Sequence, residues 1–202
     1  TLIKNVPSTL KVLDYSENKN KNLDISNINS LIKFISDSNQ IESLDNLPNS
    51  LEILSCNSNK IKTLDNLPCN LKELSCREND NLIELNNLPS TLEKLDCFRC
   101  KNLTSLDYLP SSLKILGCNA CRQINSLDLL PQSLIKLDCA NNNILRLDNL
   151  PNSLEELICY SSKVMCLDNL PRSLKKLECY DCDNITMLNN LPNTLYFLSC
   201  DY

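Results

Sequence analysis

Leucine recurs along this chain at steps of 20 or 21 residues, and each of these leucines opens the same short pattern of apolar and polar positions. In the unit that begins at Leu51, the apolar residues Leu54 and Cys56 alternate with positions 53, 55 and 57. A period of two is typical of a short strand with one buried face. The pattern therefore predicts one strand in every unit, with positions 54 and 56 in the core. The leucines that set the register are Leu10, Leu31, Leu51, Leu71, Leu92, Leu113, Leu134, Leu154, Leu174 and Leu195.

The second half of each unit stays apolar on one side but carries turn residues. Ile61 and Leu64 continue the core, and Pro68 ends the segment because it fixes its own φ and lacks an N–H donor. Segments this short favour turns or single 3₁₀ pieces over full helices. Asn59 is predicted to turn the chain off the strand and to satisfy backbone groups in the bend. A hydroxyl residue precedes most strands and is expected to bond locally to its own turn, as at Ser50, Ser112 and Thr194.

The sequence of the repeat unit is similar to that of a known repeat family. The spacing L-x-x-L-x-C-x-x-N-x-I of the unit at Leu51 resembles the leucine-rich-repeat pattern, with Cys56 in place of the third leucine. It is most similar to the short repeats of bacterial effectors and to the Leu-Pro-x-Ser-Leu repeats that occur in amoebae and large amoebal viruses. The resemblance implies a β-rich leucine-rich-repeat solenoid, or horseshoe, of about ten coils, with a parallel β-sheet on the concave face and short turns or 3₁₀ segments on the convex face. All nine prolines belong to the recurring phrase P-x-[S/T/N]-L-x-x-L, beginning at Pro7, Pro48, Pro68, Pro89, Pro110, Pro131, Pro151, Pro171 and Pro192.

The period never breaks, which predicts a single leucine-rich-repeat domain over residues 1–202 without a linker. The first residues, 1–6, fall inside the tail of a repeat, and the last two stop just after a strand. Terminal coils of a solenoid need a polar cover. We therefore expect both ends to be uncapped here, with the chain either a fragment of a longer protein or covered at one end by a partner.

The net charge and the composition of the chain argue against some classes of partner and some cellular compartments. The net charge is -5 and the pI is about 4.8, with lysines and arginines interleaved among acids, so we predict no nucleic-acid partner and no membrane partner. No apolar stretch reaches the roughly 18 residues that span a bilayer. An odd number of cysteines, thirteen, and no leader favour the cytoplasm, or the host cytoplasm for a viral or effector protein. The sequons at Asn102 and Asn184 keep a secreted protein as the alternative.

The cysteines follow the repeat. Cys97-x-x-Cys100 and Cys118-x-x-Cys121 together resemble a zinc signature in spacing. However, the first cysteine of each pair lies in the inward strand position, where cysteine fills a core as a small apolar residue, and the second lies in the position of Asn59. We therefore predict no metal. Two further cysteines, Cys69 and Cys166, are expected to be exposed. The strand column comprises Cys56, Cys76, Cys97, Cys118, Cys139, Cys159, Cys179 and Cys200.

Catalytic constellations are missing from the sequence. It has no histidine and a single glycine, which excludes Cys-His and Ser-His nucleophile pairs and glycine-rich phosphate loops within this stretch. Acids on the predicted concave strip alternate with lysines, as expected for a solvated, charge-compensated face. We predict a protein that is not an enzyme and needs no cofactor. The acids in question are Asp96, Asp138, Glu156 and Glu178, and the lysines are Lys94, Lys136 and Lys176.

The concave face is the predicted binding surface, because a curved solenoid presents it as an extended strip. Aromatic and arginine side chains dominate interface hot spots, and four of the chain's nine Phe and Tyr residues fall on outward strand positions. Tyr160 and Tyr180 could equally serve to cover their neighbours where the strand ends. The predicted function is non-enzymatic binding of a protein or peptide, and the alternatives are the substrate-recognition part of a larger effector or ubiquitin-ligase adaptor, or a purely structural spacer. The candidate partner-binding residues are Arg77, Phe98, Ile158, Tyr160, Tyr180 and Phe197.

Overall fold

The computed structural model describes residue 3 and residues 6–201, so part of the predicted uncapped ends, residues 1, 2, 4, 5 and 202, lies outside the described residues. The described chain forms one sheet of ten parallel strands, whose order in space is their order in sequence. Each strand is three residues long. The strands are β1 (Val12–Asp14), β2 (Lys33–Ile35), β3 (Ile53–Ser55), β4 (Glu73–Ser75), β5 (Lys94–Asp96), β6 (Ile115–Gly117), β7 (Lys136–Asp138), β8 (Glu156–Ile158), β9 (Lys176–Glu178) and β10 (Phe197–Ser199).

The sheet register follows the leucine spacing. Leu54 pairs with Leu74, and Leu74 pairs with Leu95, so equivalent positions of successive units lie side by side. In a parallel sheet each crossover connection must return the chain to the same end, and here one whole coil does this. The predicted leucine-rich-repeat solenoid, with a parallel sheet on one face, is confirmed.

The core runs along the whole stack as parallel columns. Leu54 is 1% exposed and Cys56 is fully buried, while Ile53 and Ser55 point out of the core, as the alternation predicted. Ile61 and Leu64 extend the same core around the other side of the coil. This second side is built from turns, and no α-helix or 3₁₀ helix occurs within residue 3 and residues 6–201. Of the two predicted convex elements, therefore, only the turns form.

Each coil closes through the proline phrase. The carbonyl of Pro48 accepts a hydrogen bond from the N–H of Leu51 at 3.1 Å, and the carbonyl of Pro68 accepts from Leu71 at the same distance. Because proline fixes φ and lacks a donor, it begins a tight turn without leaving an N–H unpaired. The proline therefore both ends one coil and supplies the acceptor that starts the next strand.

The Ser or Thr hydroxyl that precedes most strands donates its hydrogen bond to a different partner from the one predicted. Ser50 Oγ donates to the carbonyl of Leu31 at 2.7 Å, and Ser112 Oγ donates to the carbonyl of Leu92 at the same distance. Thr194 makes the same bond to Leu174. The expectation of a bond within the local turn is therefore wrong, because each hydroxyl bonds to the carbonyl of the register leucine of the preceding coil. These bonds form a ladder between coils and stabilise the stacking as well as the turn.

Candidate functional site

The open face of the sheet carries a shallow groove. A cavity of about 260 Å³ is lined by outward side chains of β2 to β5, and a second cavity of about 210 Å³ continues it over β5 to β7. Arg77 and Asp96 line both cavities, so the two are continuous. The second cavity is lined by Arg77, Asp96, Phe98, Gly117, Asn119 and Asp138.

A string of hydrogen bonds orders the first part of this groove. Asp37 accepts bonds from Ser55 Oγ at 2.8 Å and from the N–H of Asn57 at 2.8 Å. Asn57 Oδ1 in turn accepts from Ser75 Oγ at 2.7 Å and from the N–H of Arg77 at 2.8 Å. Each link joins one coil to the next, so the polar groups of this face are held in fixed positions before any partner arrives.

The first predicted patch is brought together by the fold. Arg77 Nε donates to Asp96 Oδ2 at 2.8 Å, and the Phe98 ring lines the same cavity as Arg77. Arg99 lies beside Phe98, with the guanidinium carbon 5.7 Å from the ring centroid. The hydrogen bond to Asp96 raises the pKa of Arg77. Arg77 is therefore already engaged with its neighbour and faces a partner only with its remaining donors.

The second predicted patch contains a stacked aromatic pair. The rings of Tyr160 and Tyr180 are nearly parallel, with an interplanar angle of 6° and centroids 4.5 Å apart. Tyr160 Oη accepts a hydrogen bond from Asn119 Nδ2 at 3.2 Å, which ties the pair to a coil two units away. Ile158 lies on β8 next to Tyr160 and is partly exposed. The three residues form one surface, although the stacking shows that each tyrosine also covers the other.

Phe197 lies apart from both patches. It is 43% exposed on β10, and Lys176 Nζ lies 5.1 Å from its ring centroid. The structure thus places all six candidate residues on the same face of the sheet but in separate groups, with β6 and β7 between the first patch and the second. Their role in binding stays a prediction.

Most charges on this face are paired with an opposite charge, either on the neighbouring coil or on the same strand, as the predicted charge-compensated face requires. Lys136 pairs with Glu156 at 2.8 Å, and Lys176 pairs with Glu178 at 2.8 Å. Asp138 differs, because no lysine or arginine within the described chain forms an ion pair with it. Burial raises the pKa of Asp138, and the carboxylates of Asp96 and Glu178 add to this shift.

Sequence reasoning missed Gly117, which separates Asp96 from Asp138 on adjacent strands. The sequence could have indicated this position, since Gly117 is the single glycine of the chain and falls on an outward strand position. Its missing side chain opens the second cavity.

The paired cysteines bond to the backbone. Cys100 Sγ lies 3.2 Å from the carbonyl oxygen of Cys76, and Cys121 Sγ lies 3.0 Å from that of Cys97, so each thiol of the bend reaches back to the preceding coil. Within the described residues, no three His, Cys, Asp or Glu side chains converge in a way that could hold a metal ion. The cysteines of the strand column are buried in the stack, except that Cys200 is partly exposed.

Thiol reactivity should therefore fall into distinct classes. Cys69 and Cys166 are exposed, whereas burial raises the pKa of the Cys56 and Cys139 thiols and raises that of Cys179 to about 12. Because the thiolate is the reactive form, we expect an aromatic disulfide reagent to modify Cys69 and Cys166 rapidly in the native protein and the buried column only on unfolding. Peptide mass mapping at timed intervals measures this. The double variant Cys69→Ser, Cys166→Ser should lose the fast phase, and equally fast labelling of Cys56 would contradict the prediction.

The stacked coils, the leucine register and the single parallel sheet define the class of protein: the chain is a leucine-rich-repeat solenoid. No family model and no curated protein matches the sequence. Among solved structures, CroV588, described as a circular leucine-rich-repeat protein, is 28% identical with a TM-score of 0.77, and the alignment covers 96% of this chain and 31% of CroV588. YopM from Yersinia enterocolitica is 24% identical with a TM-score of 0.70, and the alignment covers 99% of this chain and 57% of YopM. This chain thus spans about half of YopM and a third of CroV588.

Two similar structures were solved as complexes. The leucine-rich repeats of FLRT2, in an octameric complex with Latrophilin 3 and Unc5D, are 16% identical with a TM-score of 0.59, over 98% of this chain and 69% of that one. TLR13, in a complex with a single-stranded RNA, is 20% identical with a TM-score of 0.72, over 95% of this chain and 33% of that one. At these identities the likeness concerns the fold. In the described residues, no helix is long and apolar enough to cross a membrane.

Proposed function

We propose that this protein is a non-enzymatic interaction module that binds a protein or peptide on the concave face of its sheet. The observation that carries the proposal is the continuous groove over β2 to β7, whose polar groups are already fixed by hydrogen bonds between coils. A preorganised surface loses little side-chain entropy on association. The FLRT2 complex supports the proposal, because a leucine-rich-repeat chain of the same fold takes part in a protein assembly.

A protein partner is favoured over RNA by the charge of this face. TLR13 is described with single-stranded RNA, but RNA requires a positively charged groove that follows the phosphates. The groove here contains Asp37, Asp96 and Asp138, and its cations are largely paired with acids of neighbouring coils. The odd number of cysteines and the acidic balance also suit our proposal that the protein acts in the cytoplasm. As part of a larger effector or adaptor, the same face would recognise the substrate.

Replacing Tyr160 and Tyr180 together by alanine should weaken partner binding by about 30-fold or more, because the stacked pair acts as one aromatic hot spot that contributes about 2 kcal/mol or more. The measurement is quantitative mass spectrometry of proteins retained on the immobilised chain, followed by titration of the retained protein. Tyr108→Ala is the matched control, since Tyr108 is 79% exposed and lies in a convex turn.

A partner retained equally by the wild type and by the Tyr160/Tyr180 variant would place binding elsewhere and contradict the proposal for this patch. If ribonuclease treatment abolished retention of the partner, the binding would depend on RNA and the proposal of a protein partner would be wrong. Circular dichroism of both variants shows whether the solenoid remains folded. If alanine changes across the whole strip altered no interaction, the structural-spacer alternative would replace the proposal.

A further inference from the structure

The groove contains one gap in its row of outward side chains. Asp96, Gly117 and Asp138 occupy equivalent positions on β5, β6 and β7. Adjacent strands lie about 4.8 Å apart, so the backbones of the two aspartates are separated by about 10 Å. A Cβ atom at position 117 would lie 3.3 Å from Cγ of Asp96, which shows that the Asp96 carboxylate leans over the glycine. We call the gap at Gly117 between these two carboxylates the glycine notch.

The walls of the glycine notch suit an organic cation. Phe98 and Asn119 line it together with the two aspartates, in a cavity of about 210 Å³ that Arg77 borders on the β4 side. The Phe98 ring attracts cations to its faces, and the Arg99 guanidinium already lies 5.7 Å from its centroid. Asn119 is 7% exposed, and its side chain is held by Tyr160 and Asn141, so this wall is fixed.

The charge balance of the notch is incomplete. Asp96 has one cationic partner, Arg77, which reaches it from the side of β4. Asp138 accepts hydrogen bonds from the N–H of Ala140 at 3.2 Å and from the side chain of Asn119, but it has no ion pair with a described lysine or arginine. Lys136 and Lys176, the lysines on the nearby strands, pair with Glu156 and Glu178 instead. Burial and the neighbouring carboxylates raise the pKa of Asp138, so a bound cation would relieve an unfavourable charge.

We propose that the glycine notch receives a lysine or arginine side chain of the protein partner, with the charged group between Asp96 and Asp138 and its stem against Phe98. This rests on the proposed function, because it names the chemistry that the same concave face recognises. Charge complementarity selects this occupant: a partner cation completes the ion pairing that the chain itself leaves open. A metal ion fits less well, because the two carboxylates come from strands two steps apart and, in the part of the chain that the structure describes, no third His, Cys, Asp or Glu side chain converges on them.

The notch supplies its own reporter. Gly117 is the single glycine, so selective ¹⁵N-glycine labelling places one backbone glycine resonance at the floor of the cavity. We expect Nα-acetyl-lysine methylamide and Nα-acetyl-arginine methylamide to shift this resonance saturably at low salt, and the uncharged Nα-acetyl-norleucine methylamide to leave it in place. Asp138→Asn should weaken the binding about five- to tenfold, because it removes a partly buried charge partner. Phe98→Leu should weaken it about two- to fivefold through loss of the ring face.

Asp14→Asn is the matched control, since this acid lies on β1, outside the notch, and the variant should bind the probes as the wild type does. Equal shifts with the norleucine probe, no saturable shift with either cationic probe, or unchanged affinity in Asp138→Asn would each overturn the proposal. The readout is independent of the natural partner. If the Gly117 resonance responds as expected while concave variants leave partner retention unchanged, the proposed function fails and the cation site stands. If instead the concave variants weaken partner retention but the Gly117 resonance does not respond to the cationic probes, the interaction surface stands and the proposed cation site is wrong.

Discussion

Asn79→Ala is expected to lower the free energy of unfolding by about 3 kcal/mol, since it leaves several buried backbone groups unpaired. Asn79 is fully buried. Its Nδ2 donates to the carbonyls of Cys56 at 3.0 Å and Cys76 at 2.9 Å, and its Oδ1 accepts from the N–H of Ile61 at 3.1 Å. Alanine removes all of these bonds and opens a small cavity in place of the amide. Chemical denaturation monitored by circular dichroism measures the loss.

The bonds of Asn79 depend on the length of the preceding coil. The step from Leu51 to Leu71 is 20 residues, and in that coil the N–H of Ile61 bonds to the asparagine of the next coil. The step from Leu113 to Leu134 is 21 residues, and there the N–H of Ile124 bonds within its own coil, to the carbonyl of Cys121 at 2.9 Å. In these two coils the extra residue allows a local turn, which removes the need for an acceptor from the next coil.

Asn142 shows what happens to the bend asparagine when the preceding coil has 21 residues. It follows the coil with the local turn, and its Oδ1 is the buried side-chain oxygen without a hydrogen-bond partner among the described residues. Asn142→Cys removes this oxygen and keeps a donor toward the Cys118 carbonyl, as Cys121 does toward Cys97. We expect this variant to lie within about 1 kcal/mol of the wild type, whereas Asn79→Cys should lose nearly as much as Asn79→Ala. Equal losses for Asn79→Cys and Asn142→Cys would contradict the link between coil length and bend residue.

The sequence was sufficient to predict the sheet and its core. A step of 20 or 21 residues brings each register leucine beside the next, so one alternating strand such as positions 53–55 determines the inward and outward side chains of its counterparts. The outward placement of Phe98 and Tyr160 followed from this register alone. The same register separated the two roles of the cysteines, which the zinc-like spacing had joined.

The remaining features depend on distances between coils, which a repeat pattern does not give. The Ser50 hydroxyl bonds to the preceding coil, although its nearest partners in sequence lie in its own turn. Glu78, Arg99 and Ala120 adopt φ values of 55°, 56° and 59°, a conformation that glycine usually signals, in a chain with a single glycine elsewhere. The absence of an ion pair between Asp138 and a described lysine or arginine likewise could not be predicted, because it depends on Lys136 and Lys176 pairing with Glu156 and Glu178.

Loss of stability should also depend on where along the stack a core leucine is removed. Leu116 is 1% exposed and pairs with Leu95 on one side and Leu137 on the other, whereas Leu198 of β10 is 37% exposed and pairs with Leu177. We expect Leu116→Ala to lower the free energy of unfolding by about 3 to 4 kcal/mol, because it opens a cavity between two coils that cannot collapse around it.

Leu198→Ala should cost about 1 kcal/mol, since less apolar surface is buried there. In a solenoid each coil contacts only its neighbours, so a weak central interface also divides the stack into two units. The Leu116 variant should therefore unfold over a broader range of denaturant, with a lower m-value, than the Leu198 variant. Denaturation curves followed by circular dichroism, with hydrogen exchange resolving the two halves, measure both effects. Equal losses at the two positions would show that the ends of the stack are packed as tightly as its centre, contrary to the burial of these two leucines.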